Sequence, residues 1–189
     1  MAVKKVPGKA TNKGDSAKPS KTLPKGTKPE RSTAASGPEA GAKAPAFTLP
    51  RDGGGSVSLK DFAGRKLVLY FYPRADTPGC TKESIDFSHL KQAFARAGAD
   101  ILGVSADAVA AQDAFKAKHK LGISLGSDES RKMLEAYGVW QEKTLYGRKF
   151  LGIVRSTFLI GPDGRIAQVW PRVSVDGHAE AVLAAVKAL

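Results

Sequence analysis

The chain has 189 residues, 42% of them hydrophobic, a net charge of +12 and a single cysteine. That is enough for one domain with a core and an appendage. It excludes an internal disulfide and a zinc site built on cysteine pairs, and no apolar run approaches the ~18 residues of a membrane-spanning helix.

Residues 1–43 form the appendage. They hold ten lysines and arginines against three acids, and so seven of the twelve net positive charges. Lys, Ala, Pro, Ser, Thr and Gly dominate, and such a composition buries too little apolar surface to offset the entropy of ordering. A disordered basic tail is expected. It lacks the apolar stretch of a secretory signal. Three readings stay open for it: a solvated extension, a weak salt-sensitive contact with DNA or another polyanion, or a targeting segment.

The domain is expected over residues 44–189. "FTLPRDGGGSVSLKDFAG" (47–64) reads as two short strands around a Gly-rich turn, with Val57 and Leu59 alternating against Ser56 and Ser58. "KLVLYFYP" (66–73) is an almost unbroken apolar run, as in a central strand covered on both faces, and Pro73 stops it because proline donates nothing to a ladder. From Cys80 a helical period begins, with Phe87, Leu90, Phe94 and Ala97 at three- and four-residue spacing, and it ends at Gly98. "DILGVSAD" (100–107) is a second buried strand. Strand, helix and strand in succession predict parallel pairing with a right-handed crossover. A helix over 108–119, a short strand in 122–128 and a helix from about Glu129 to Tyr137 follow. "RSTFLI" (155–160) and "RIAQVW" (165–170) flank Gly-Pro-Asp-Gly, a hairpin signal. A last helix from about Asp176 carries Val182, Leu183, Val186 and Leu189. One mixed sheet with helices on both faces satisfies this order. The fold class expected is thus α/β, a thioredoxin-like mixed sheet flanked by helices with an N-terminal β-hairpin.

Cys80 stands where the central strand has ended and a helix begins. With Thr77 as N-cap, Pro78 falls at the first helical position and Cys80 at the third. There a side-chain anion meets unpaired backbone N–H groups and the positive end of the helix dipole. A thiol reacts as its thiolate, and an unperturbed one, with a pKa of ~8.5, is only slightly ionised at neutral pH. A reactive thiol at this place therefore also wants a cation. Arg155, at the head of a later strand, is one candidate, and Arg74 and Lys82 lie nearby in sequence. The alternative is a small buried hydrophobe, the commoner fate of a lone cysteine. Asp76 and Glu83 flank the thiol, would oppose its ionisation, and are expected to face solvent. His89, His119 and His178 show no metal-binding spacing, and neither metal nor cofactor is expected. Trp140, Tyr146 and Phe150 read as core residues, or as an apolar rim beside the site.

"YFYPRADTPGCT" contains Pro73-x-x-x-Thr77-x-x-Cys80, which resembles the peroxidatic motif of the peroxiredoxins, and its wording is similar to the peroxiredoxin Q, or bacterioferritin comigratory protein, group. "GAKAPAFTL" (41–49), "LKDFAG" (59–64), "GVSAD" (103–107), "SDES" (127–130), "YGVWQEK" (137–143) and "RSTFLIGPDG" (155–164) extend the likeness in order over about 41–189. The resemblance implies a thiol-dependent peroxidase acting on hydrogen peroxide and organic hydroperoxides. Cys80 would be the nucleophile that becomes a sulfenic acid. Thr77 would hydrogen-bond the peroxide, Arg155 would hold the thiolate and the charge developing along the O–O bond, and Pro73 would shield the site. Each has a plainer reading as well: helix cap for Thr77, surface charge for Arg155, strand stop for Pro73.

Many members of that group carry a resolving cysteine five residues after the first. Here that place is Ile85, and the chain has no other cysteine. The candidates to attack the sulfenic acid are glutathione with glutaredoxin, thioredoxin, or a second Cys80 from another subunit, and an external thiol is the expected reductant. A monomer or weak dimer in a reducing compartment is expected, cytoplasmic, with the nucleus as a further place in a eukaryote. The competing reading from another class is a nucleic-acid-associated protein that works through its tail. A thiol–disulfide exchange protein is disfavoured by the absence of Cys-x-x-Cys.

Overall fold

The structure is a computed structural model that describes residues 37–145 and 147–189. The expectations for the tail before residue 37 and for Tyr146 fall outside the described residues.

Among the described residues nine strands and four helices follow one another as β1 (Thr48–Pro50), β2 (Ser56–Ser58), β3 (Lys66–Phe71), α1 (Pro78–Arg96), β4 (Ala99–Ser105), α2 (Val109–His119), β5 (Ser124–Ser127), α3 (Lys132–Ala136), β6 (Trp140–Leu145), β7 (Arg148–Ile153), β8 (Ser156–Ile160), β9 (Ile166–Trp170) and α4 (His178–Ala188), with a 3-10 turn at Leu59–Phe62. The central sheet has the order β5-β4-β3-β8-β9. β3, β4 and β5 are parallel, and β8 and β9 run antiparallel to their neighbours. This is the expected thioredoxin-like arrangement, and β1–β2 is the expected N-terminal hairpin. The chain is engaged slightly ahead of residue 44: the Gly41 N–H donates to the Ile166 carbonyl at 2.7 Å, and Lys43 bridges to Arg165.

The unbroken apolar run of β3 is explained by its two covered faces. Leu67, Leu69 and Phe71 enter one apolar cluster with Met133 and Leu134 of α3 and Phe158 of β8. Val68, Tyr70 and Tyr72 alternate into a second cluster with Phe87 and Phe94 of α1, Phe115 of α2 and Val182 of α4. Of the four expected α1 face residues, Phe87 and Phe94 are sealed, while Leu90 and Ala97 are partly covered.

Gly103 makes room in this second cluster. It sits opposite Tyr70 in the β3–β4 register, and a Cβ there would lie 2.5 Å from the tyrosine's ring and hydroxyl. Gly103→Ala should therefore overpack the core and cost about 1–3 kcal/mol, read as a lower urea midpoint with an unchanged slope.

Two elements depart from the sequence reading. α3 starts at Lys132 rather than near Glu129, because Asp128–Arg131 form a turn in which Arg131 takes φ 63° and the Asp128 carboxylate accepts the Leu134 N–H at 2.9 Å. The hairpin β6–β7 has no counterpart among the expected elements. Most of its residues are exposed or half-exposed, and one of its bonds is the surface ion pair Lys149–Glu142 at 2.9 Å. A two-stranded ribbon with little buried face carries no clean apolar alternation to read.

Candidate active site

β3 and β8 pair antiparallel, with Phe71 opposite Ser156. The residue just before β8 therefore lies beside the end of β3, where the chain turns into α1. By this direction of travel Arg155 meets the first turn of α1 from 75 residues away.

Thr77 occupies the N-cap with extended backbone (φ −95°, ψ 152°), and Pro78 follows within the first turn, as expected. The Thr77 carbonyl accepts the Thr81 N–H at 2.8 Å. Its hydroxyl does not cap the helix but donates to the Arg74 carbonyl at 3.0 Å. Pro73 is half-buried just past the end of β3, after Tyr72 has donated its N–H to the Val104 carbonyl at 3.1 Å.

Cys80 is 1% exposed, so the hydrophobe reading is right about burial. It is wrong about surroundings, because the thiol is not sealed in hydrocarbon alone. Arg155 Nη2 donates to its Sγ at 3.2 Å. Gly79 allows the approach: a Cβ there would lie 3.3 Å from Nη2, tighter than ordinary contact. Arg74 is exposed on the loop, and Lys82 turns outward to Asp86 and Asp176, at 2.8 and 3.4 Å. Among the described residues only Arg155 brings a cation to the sulfur.

Glu83 corrects an expectation. It does not face solvent; it is 1% exposed and pairs through Oε2 with Arg155 Nη1. The cause is helical spacing. Cys80, Glu83, Ser84 and Phe87 fall three, four and seven residues apart, on the buried face of α1. Asp76 does turn outward, to Lys118 and His119 at 2.6 and 2.7 Å. The second oxygen of Glu83, Oε1, finds no hydrogen-bond partner among the described residues. Burial pushes the Glu83 carboxyl up from 4.5 to about 7, with the Arg155 charge pulling the other way. Two signals in the sequence point to this pair: a carboxylate three residues after Cys80, and a strand-leading arginine that needs a counter-charge.

The three histidines scatter. His89 is exposed, and His119 binds Asp76. His178 is buried, shares a hydrogen bond with the Thr157 hydroxyl at 2.8 Å and packs edge-on to Phe87 and Trp170. Among the described residues no group of His, Cys, Asp and Glu is placed to hold a metal ion. Trp140 is half-buried against the first core cluster, under the Arg131 guanidinium. Phe150 is 46% exposed, so the core reading fails for it.

Glu83 and His178 give opposite pH dependences to stability. The folded state holds the Glu83 proton more tightly than the unfolded chain, so that contribution is complete below 4.5 and lost as pH rises through about 7. Burial, and secondly the Arg155 charge, lower His178 from 6.5 to about 4. Its contribution is complete above 6.5 and lost as pH falls through about 4. Each is worth roughly 3 kcal/mol at most, and between 4.5 and 6.5 they oppose. Glu83→Gln should therefore lose more stability than wild type on acidification across that window, and His178→Gln should lose more as pH rises toward neutrality. Urea midpoints at several pH values check both, since all other titrating groups cancel in the difference.

Residues 40–169 match the AhpC/TSA family. The chain is 49% identical over 144 residues to "Peroxiredoxin Bcp" of Xanthomonas campestris pv. campestris, covering 75% of this chain and 90% of that one. It is 48% identical over 145 residues to "Putative peroxiredoxin bcp" of Coxiella burnetii, covering 77% and 96%. A solved structure of Xanthomonas campestris peroxiredoxin Q superposes with a TM-score of 0.72 at 48% identity, over 75% of this chain and 90% of that one. Another, described as concerning the alkyl peroxide reduction activity of the Xanthomonas campestris bacterioferritin comigratory protein, superposes with a TM-score of 0.75 at 46% identity, over 79% and 98%. A helix-leading cysteine on a thioredoxin-like sheet and these likenesses lead to one conclusion: the chain belongs to the AhpC/TSA family and is a peroxiredoxin, a thiol-dependent peroxide reductase of the Bcp and peroxiredoxin Q group.

Proposed function

We propose that Cys80 is the peroxidatic nucleophile, with Arg155, Thr77 and Pro73 forming its site. The observation that carries this reading is the guanidinium contact to Sγ at 3.2 Å, at the leading turn of α1. The thiolate attacks the terminal oxygen of a hydroperoxide. An S–O bond forms, the O–O bond breaks, and the departing alkoxide or hydroxide takes up a proton and leaves as alcohol or water. Cys80 is oxidised to sulfenic acid as the peroxide is reduced. Arg155 stabilises the thiolate and then meets the negative charge as it moves toward the leaving oxygen. The Thr77 hydroxyl spends its proton on the Arg74 carbonyl, which leaves its oxygen lone pairs to accept a hydrogen bond from the peroxide O–H. Pro73 keeps one wall of the loop free of a backbone donor and limits water at the sulfur.

The substrates proposed are hydrogen peroxide and, following the Xanthomonas campestris relative, alkyl hydroperoxides. No second cysteine exists in the chain, so recycling falls to an external thiol: thioredoxin, or glutathione with glutaredoxin. That dependence fits a reducing compartment such as the cytoplasm. Mass spectrometry of Cys80 after brief peroxide exposure, with and without glutathione, tests the reading. A sulfenic adduct alone and a mixed disulfide with glutathione are expected; an unmodified thiol in both samples would remove it.

A further inference from the structure

We propose that Asp107 is a positioning residue for the peroxidase step, acting through the backbone of the loop that carries Pro73 and Thr77; this rests on the reading of Cys80 as the peroxidatic thiol. Asp107 follows β4, the strand parallel to β3, so parallel pairing sets its side chain beside the loop where β3 ends. Asp107 Oδ2 accepts the Ala75 N–H at 2.8 Å. The same oxygen accepts the Ser105 hydroxyl at 2.7 Å, and the Asp107 N–H returns a bond to Ser105 Oγ at 3.2 Å.

The bonds behind that carboxylate fix its position. Gln112, wholly buried, donates its amide to Ser105 Oγ at 2.8 Å and to the Gly126 carbonyl at 3.2 Å. Its carbonyl oxygen accepts the Tyr72 hydroxyl. The Asp107 carbonyl accepts the Ser127 hydroxyl at 2.7 Å. Ser105 Oγ thus accepts from Gln112 and from Asp107 N–H, and it donates its own proton to Asp107 Oδ2. The bonds run in one direction from Tyr72 through Gln112 and Ser105 to Asp107. The network draws on Tyr72 just past β3 and on β4, β5 and α2, and among the described residues its hydrogen bond to the loop between Pro73 and Thr77 comes from Ala75 N–H.

That loop needs holding. Asp76 takes φ 58°, a region a non-glycine residue occupies at a cost. Ala75 precedes it, and the Thr77 hydroxyl two residues on is oriented by the Arg74 carbonyl. Rotation of the Ala75 peptide would turn both the carbonyl that orients Thr77 and the approach of Thr77 itself. A displacement of about 1 Å at a reacting centre costs on the order of a hundredfold in rate.

The test uses the full chain as Asp107→Ala and Asp107→Asn, with two readouts: the second-order rate of Cys80 oxidation by hydrogen peroxide, and the ultraviolet absorbance of the Cys80 thiolate across pH. Asp107→Ala should be oxidised about 10- to 100-fold more slowly with its thiolate absorbance profile unchanged. Asp107→Asn keeps an oxygen acceptor for Ala75 and Ser105 while removing the charge, and should recover to within about threefold of wild type. Ser105→Ala, which frees the carboxylate to swing, should lie between the two and serves if Asp107→Ala does not fold. Three results would overturn the proposal: Asp107→Ala oxidised at the wild-type rate, Asp107→Asn as slow as Asp107→Ala, or a slow variant whose thiolate profile has moved by the same factor. Failure of the underlying reading looks different, because then wild-type Cys80 itself is not oxidised.

Discussion

Peroxide consumption with dithiothreitol as reductant should fall to the uncatalysed background in Cys80→Ser. The exchange is nearly isosteric, so the position at the head of α1 survives it. What changes is the nucleophile. A serine hydroxyl stays protonated at neutral pH, and the guanidinium 3.2 Å from Sγ would face a neutral oxygen that carries no charge to stabilise. No second cysteine can take over, and two methionines give at most a stoichiometric trace as they become sulfoxides. The control is a urea midpoint close to wild type, which shows that chemistry and not folding was removed. Equal rates in wild type and Cys80→Ser would dismiss Cys80 as the peroxidatic nucleophile, whatever the family.

Arg155→Ala should lower the second-order rate of Cys80 oxidation about 10²- to 10³-fold, the usual loss when a preorganised donor to developing negative charge is removed. It should also destabilise the fold, because the buried Glu83 carboxyl then protonates and loses the Arg155 hydrogen bond to its Oε2, a loss of about 1–3 kcal/mol. The two losses are separable. Adding Glu83→Met to Arg155→Ala removes the unpaired buried carboxyl and should restore much of the stability while leaving the rate low. Arg155→Lys distinguishes charge from shape. Its ammonium is a point charge and cannot present one nitrogen to Sγ and another to Glu83 at once, so oxidation should remain well below wild type although the cation is kept. Stopped-flow oxidation together with urea midpoints decides the matter, and a double variant that regains rate along with stability would show Arg155 to be structural only.

Much of the fold and site is legible in the chain because the relevant signals are local. The apolar run ending at Pro73, the Thr77-Pro78-Gly79-Cys80 start and the period through Phe87 and Phe94 announce strand, turn and helix within about thirty residues. Arg155 can be named as a partner for Cys80 because it leads an apolar strand, a position where a charge needs a reason. What stays hidden depends on contacts between distant segments. A charge beside a thiolate argues for Glu83 in solvent, whereas the helical repeat that carries Cys80 inward carries Glu83 with it, and Arg155 compensates both. The bond from Ala75 to Asp107 joins residues 32 apart through a backbone N–H, which no side-chain pattern reports. The hairpin β6–β7 escapes because Phe150 and Leu151 sit on its exposed surface instead of in a core, so its sequence lacks the contrast that burial imposes.

Strand direction has one more consequence. Trp140 faces Ile153 at the base of that hairpin, and the Val154 N–H returns to the Val139 carbonyl at 2.8 Å. The segment between behaves as a detachable tab: shortening or lengthening it would leave Ser156 opposite Phe71, and the guanidinium at its post. The exposed outline of the molecule can thus vary without retuning the chemistry beneath, since the two are governed by different stretches of backbone.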